Sequence, residues 1–258
     1  MAHLTRDGVK LSYEERGRGP AMILVHGWTC DRSHFAPQAA HFSSRYRCIS
    51  VDLRGHGESD KPEQAYTIGG FADDVAWMCG ELGVSSAVFA GHSMGGAIAL
   101  AVAAAKPELC AALVMLDPAV LFPAELQPLI AQLVAAFRTP EGPAVLQQFG
   151  SDRFFTPTSD ATLKARVLDG MARTPMHVAA SAFEDVGAFR GEAELKAVRA
   201  PVLYVEADPQ IDRVARLREL CPDVMTGKTV GSGHFHQLEV PEQINAMMER
   251  FLAVSVPA

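Results

Sequence analysis

One serine of this chain sits where it could act as a nucleophile. Gly91-His92-Ser93-Met94-Gly95 fits the pattern G-x-S-x-G, in which a strand turns abruptly into a helix and leaves the serine hydroxyl exposed at the bend. Glycine on either side suits such a turn, because a β-carbon there would meet crossing backbone. A serine nucleophile also needs a base. Of the nine histidines, His234 in Gly231-Ser232-Gly233-His234 follows a late strand, and His236 lies two residues on. Positions two apart face the same way in extended chain, so spacing does not choose between them. His26, His56 and His92 fall in turns, where a structural hydrogen-bonding role is the simpler reading. His3, His34, His41 and His177 carry no local signal.

The pattern of elements says how these groups could meet. Residues 9–16 alternate weakly as an early strand, and Gly17, Gly19 and Pro20 end it. Residues 21–25 and 46–51 are nearly continuous apolar runs, as in strands buried on both faces. Phe71, Val75, Met78 and Leu82 then repeat with a helical period, closed by Gly83. Residues 87–90 form a strand running straight into the serine motif, and the alanine-rich stretch 97–105 reads as the helix after it. A further strand, 112–116, ends at Asp117-Pro118. Strands and helices in alternation imply a parallel sheet covered on both faces. Strands are absent from 119 to 192. Helices are expected there at 125–138, 160–173 and 177–190, separated by Pro140, Gly142, Pro143, Pro157 and Pro175. Strands resume at 201–207 and near 228–230, before a last helix carrying Ile244, Met247, Met248, Phe251 and Leu252. Residues 1–118 and 193–258 therefore read as one α/β core, interrupted by a helical insertion at 119–192.

Composition narrows the partners. The chain has 258 residues, a net charge of −7 and no concentrated basic surface, which argues against a nucleic-acid partner. Five cysteines, an odd number with no C-x-x-C pair, argue against a disulfide framework and a structural zinc site. The first residues lack an apolar signal-like run, and the longest apolar stretch is too short to span a bilayer. The default expectation is a cytoplasmic monomer or homodimer with no membrane association.

Taken together, these motifs resemble the α/β-hydrolase family. The matching residues are His26-Gly27, the run Asp52-Leu53-Arg54-Gly55-His56-Gly57-Glu58-Ser59, the motif at 91–95, and Gly233-His234 ahead of Glu239-Val240-Pro241-Glu242. The resemblance covers essentially the whole chain, with 119–192 in the position of the variable cap. It implies Ser93 as nucleophile, His234 rather than His236 as base, and the amides of Trp28 and Met94 as oxyanion donors. No metal or organic cofactor is implied.

The acid departs from the usual pattern. The family's ordinary acid follows the strand at 201–207, where this chain has Gln210 flanked by Asp208 and Asp212. Some members place it at the end of the preceding strand, which here is Asp117. Asp117 is the preferred candidate, with Asp208 and Asp212 as alternatives.

The expected reaction is hydrolysis of a carboxylic ester or lactone by a Ser-His-Asp acyl-enzyme route. Epoxide hydrolases and dehalogenases of this fold use an aspartate nucleophile, and the four tyrosines here all lie outside 119–192. Cofactor-free perhydrolases, C–C bond hydrolases and a non-catalytic ligand receptor on the same scaffold are the alternatives. Phe122, Phe137, Phe149, Phe154, Phe155, Phe183 and Phe189, with Met171 and Met176, serve the insertion's own packing or a small-molecule substrate with an apolar part.

Overall fold

The computed structural model describes residues 2–207 and 213–256. Its centre is an eight-stranded sheet in the order β1-β2-β4-β3-β5-β6-β7-β8: β1 (Ala2–Arg6), β2 (Val9–Arg16), β3 (Ala21–Val25), β4 (Arg47–Val51), β5 (Ala87–His92), β6 (Cys110–Leu116), β7 (Val202–Glu206) and β8 (Met225–Lys228). β1 and β2 pair antiparallel, as do β2 and β4; every other pairing is parallel. The alternation of elements implied such a mostly parallel sheet, and the arrangement is the one that the resemblance to the α/β-hydrolase family implied.

The continuous apolar runs follow from a sheet with two dry faces. Ile23, Val25, Phe89, Leu113 and Tyr204 point into one core, while Met22, Leu24, Val88, Val114 and Val205 point into the other. The second face is covered by α1 (Ala36–Phe42) and, from the far end of the chain, by the last helix through Ile244, Met248, Phe251 and Leu252. The first face is covered by α2 (Ile68–Glu81) and α3 (Met94–Ala105). Between β6 and β7 come α4 (Gln127–Phe137), α5 (Gly142–Arg153), α6 (Ala161–Met171), α7 (Met176–Ala188) and α8 (Glu192–Ala197). After β7 come α9 (Val214–Leu220), the short α10 (His236–Glu239) and the last helix, α11 (Pro241–Ser255).

The structure departs from the sequence reading in several places. β1 and α1 carry no pattern that foretold them. α5 begins at Gly142-Pro143, taken from sequence as a break; a proline in the first turn lacks only an N–H that would be unpaired there. α3 starts at Met94 rather than 97, so the serine motif runs into the helix without a spacer. The last strand ends at Lys228, ahead of the 228–230 expected for it.

Candidate active site

The serine motif is a bend that only glycines allow. Ser93 lies between β5 and α3 with φ 54° and ψ −119°, a region nearly closed to residues with a side chain. A β-carbon on Gly91 would stand 2.1 Å from the Gly95 carbonyl oxygen, and one on Gly95 would stand 2.1 Å from that of Val25. Backbone bonds hold the bend: the Ser93 amide donates to Leu116 at 3.0 Å, and the Ser93 carbonyl accepts from Ala119 at 2.9 Å. The bend is therefore tied to the end of β6, the strand that leads to Asp117.

Asp117 also has a positive φ, 40°, and its amide donates to the Val205 carbonyl at 2.7 Å. His234 follows β8 in a loop fastened from two sides. Its amide donates to the Phe154 carbonyl at 2.8 Å, and the Gly233 amide donates to Glu239 Oε1 at 2.9 Å. Its ring stacks on Phe154, with centroids 4.8 Å apart. His234 Nδ1 donates to Asp117 Oδ2 at 2.5 Å. Burial makes the Asp117 charge more costly, but the His234 hydrogen bond and the charges of His234, His236 and Arg213 outweigh it and hold the carboxyl below its ordinary pKa.

Ser93, His234 and Asp117 line one cavity of about 490 Å³, together with Trp28 and Met94. The amide of Met94 opens α3 and so has no acceptor within the helix. Among the described residues, neither the Trp28 nor the Met94 amide donates to protein backbone. The Trp28 indole reaches the other way: Nε1 donates to the Ala179 carbonyl of α7 at 2.8 Å, and the ring sits 4.7 Å from Phe183 and 5.4 Å from Phe137. The loop after β3 is thereby joined to the helical block.

The other histidines separate by their surroundings. His236 is fully buried, pairs with Thr229 Oγ1 at 3.2 Å and is not among the cavity's lining residues; burial lowers its pKa to about 4. His26 donates from Nδ1 to the Gly27 carbonyl and accepts at Nε2 from the Leu53 amide, bridging the ends of β3 and β4. His56 donates to the Arg54 carbonyl, and His92 donates to the His234 carbonyl at 2.8 Å. The run 52–59 is likewise structural, since Asp52 accepts from the Arg32 and Glu58 amides. Asp208 and Asp212 lie outside the described residues.

Of the aromatic residues in 119–192, Phe122, Phe149, Phe154, Phe155 and Phe183 line the cavity, whereas Phe137 is buried behind Trp28. Among the cavity residues that the sequence did not single out, two carry titratable side chains of interest. Arg213 is 8% exposed, donates from Nη1 to the Pro118 carbonyl at 3.0 Å and lies 4.9 Å over the Phe122 ring. Cys30 lines the cavity two residues after Trp28. Neither belongs to a recognisable pattern. Arg153, at the end of α5, also faces this space.

Residues 20–241 match the model of a family described by the alpha/beta hydrolase fold. The chain is 27% identical to 3-oxoadipate enol-lactonase 2 of Acinetobacter baylyi, over 96% of each chain. It is 38% identical to 2-(acetamidomethylene)succinate hydrolase of Mesorhizobium japonicum over 42% of its own length, a match spanning only 39% of that relative. Among solved structures, the enol-lactonase from Burkholderia xenovorans LB400 superposes with a TM-score of 0.87 at 25% identity, covering 98% of this chain and 100% of that one.

Proposed function

The chain belongs to the alpha/beta hydrolase fold family, and from that membership we propose that it is a serine hydrolase that cleaves a carboxylic ester or lactone through an acyl-enzyme. The observation that carries the reading is the 2.5 Å contact between His234 and Asp117 at a cavity that Ser93 also lines. The likeness to two enol-lactonases supports a carboxylic acyl substrate. In this reading residues 119–192 are a cap over a core made of 1–118 and 193–258, and the phenylalanines of the cap receive an apolar part of the substrate.

The steps follow from the protonation state. With its Nδ1 proton held by Asp117, neutral His234 has Nε2 as its basic atom. Nε2 takes the Ser93 proton as Oγ attacks the carbonyl carbon. The Trp28 and Met94 amides donate to the oxygen that gains the negative charge, a contribution of about 3 kcal/mol per donor. His234 then protonates the leaving alkoxide. The same base next takes a proton from water, which attacks the acyl carbon; the bond to Ser93 Oγ then breaks, His234 returns its proton to Oγ, and the acid is released. Asp117 stays ionised throughout and keeps the imidazole in its working tautomer.

The test is turnover of short p-nitrophenyl esters and small lactones by the wild type and four variants, with labelling by a fluorophosphonate probe. Ser93→Ala is expected to lose at least ~10³-fold in kcat and all labelling. Asp117→Asn is expected to lose ~10³- to 10⁴-fold, with Asp208→Asn and Asp212→Asn near wild type. Retention of most turnover by Ser93→Ala would refute the mechanism. Collapse in Asp208→Asn with a normal Asp117→Asn would move the acid to the later position.

A further inference from the structure

Among the described residues, Arg213 forms an ion pair with no carboxylate. A guanidinium stays protonated at any working pH, and it carries five N–H donors in one plane. Here the group is buried, and the Pro118 carbonyl and the Tyr204 hydroxyl meet part of it. Its Nε is shielded from solvent and has no acceptor. Asp117, whose negative charge Arg213 helps maintain, is engaged by His234. A buried, unpaired cation is costly. One side of the plane is covered by Phe122, and the guanidinium borders the cavity that holds Ser93.

Arg153 strengthens the observation. It lines the same cavity from the end of α5, is exposed, and is ion-paired to no described residue. Two arginines thus face a space whose described lining includes one carboxylate, already engaged by His234, in a molecule with a net charge of −7. The overall field of such a molecule repels anions, so a local pair of cations changes what the cavity attracts.

We propose that the cavity accepts an ester or lactone bearing a carboxylate of its own, bound by Arg213 and drawn in by Arg153. The inference rests on the reading of Ser93 as the nucleophile and narrows its substrate class. The substrate carboxylate offers the guanidinium an acceptor on the side that borders the cavity. The phenylalanines surround the carbon chain between that carboxylate and the reacting carbonyl.

The experiment compares esters matched in shape and differing in charge: mono-p-nitrophenyl glutarate against p-nitrophenyl valerate for the acyl half, and 3-carboxyphenyl acetate against phenyl acetate for the alcohol half. In the wild type, kcat/KM is expected to favour the charged member of one pair by about 10- to 100-fold, the range of a charge-assisted hydrogen bond. That ratio should fall towards one in Arg213→Gln and be partly restored in Arg213→Lys. In Arg153→Gln it should fall less, and the remaining preference should be less sensitive to salt. If Arg213 serves only to keep Asp117 ionised, Arg213→Gln lowers both members equally and leaves the ratio intact, which overturns the proposal. Ratios at or below one in both wild-type pairs, with the neutral esters hydrolysed, also overturn it while leaving the hydrolase reading standing. Calorimetric titration with glutarate needs no turnover: binding that Arg213→Gln abolishes supports the anion site even in a protein that cleaves no ester, and no binding at millimolar glutarate counts against it.

Discussion

Ser93 pays for its exposure in backbone strain. Its φ of 54° with ψ −119° lies outside even the left-handed helical region, in territory that costs of order 1–3 kcal/mol for a residue with a β-carbon. Alanine keeps that β-carbon and glycine does not, so the two variants at this position should differ in stability. Ser93→Gly is expected to melt above Ser93→Ala, although glycine also loses more chain entropy on folding. Calorimetric melting of the pair measures this; equal midpoints would mean that the bend stores no strain at this position. At the same scale, the sequence shows the serine and the histidine because each sits in a contiguous motif with glycine beside it. The acid was open between three aspartates, since the choice depends on which strand end faces His234, and no local pattern encodes that. Arg213 left no trace at all, because its partners Pro118 and Phe122 are some 90 residues away along the chain.

The elements meet at the end of β3. Gly95 in the first turn of α3 comes so close to the Val25 and His26 carbonyls that a β-carbon would stand 2.1 and 2.5 Å from them. This approach brings the amide of Met94 to the same cavity as that of Trp28. Gly95→Ala must push α3 away from β3. The expected loss of stability is about 1–3 kcal/mol or more, with kcat reduced more than KM is raised, because the two amides no longer converge. A melting midpoint and a saturation curve on one ester check both parts, and wild-type values in either would contradict the close contact. Helices and strands buried on one or two faces were legible from periodicity. β1 was not, because its residues are mostly exposed along an antiparallel edge. α5 was not, because its buried stripe is Gly142, Leu146 and Gly150, and two of those three positions carry no apolar side chain to register.

Across the whole molecule, several histidines are neutral parts of the core. Burial lowers His26 to about 4, His56 to about 3 and His236 to about 4, and drives His92 well below its ordinary value. The unfolded chain protonates the same residues near pH 6.5. Between about pH 6.5 and 4 the unfolded state therefore binds more protons, and stability falls as the pH drops. The stabilisation from neutral burial is complete above pH 6.5. It declines by up to about 1.4 kcal/mol per pH unit for each histidine until the folded value is reached. Asp117, held below its ordinary value, adds a further loss only below about pH 4. Urea midpoints taken from pH 6.5 down to 5 should fall steadily, with proton uptake on unfolding of more than one per molecule; His34, whose contacts with Cys30 and Asp31 outweigh its burial and raise it to about 10, is protonated in both states there. A flat profile would place these rings in contact with water. The motifs around Ser93 and His234, a sheet with two dry faces and a run of helices between two strands were all readable in the chain; the contents of the cavity depended on contacts between distant segments.

Trp28 turns the cavity into a reporter of its own occupancy. The residue lines the cavity beside Ser93, its indole packs in the phenylalanine cluster of α4 and α7, and the chain has a single other tryptophan, Trp77, lying on α2 beside Arg6. In a Trp77→Phe background, emission excited at the indole band comes from that one ring alone. Its intensity and wavelength then register how the space beside Ser93 fills and empties, without a dye, a label or a chromogenic ester.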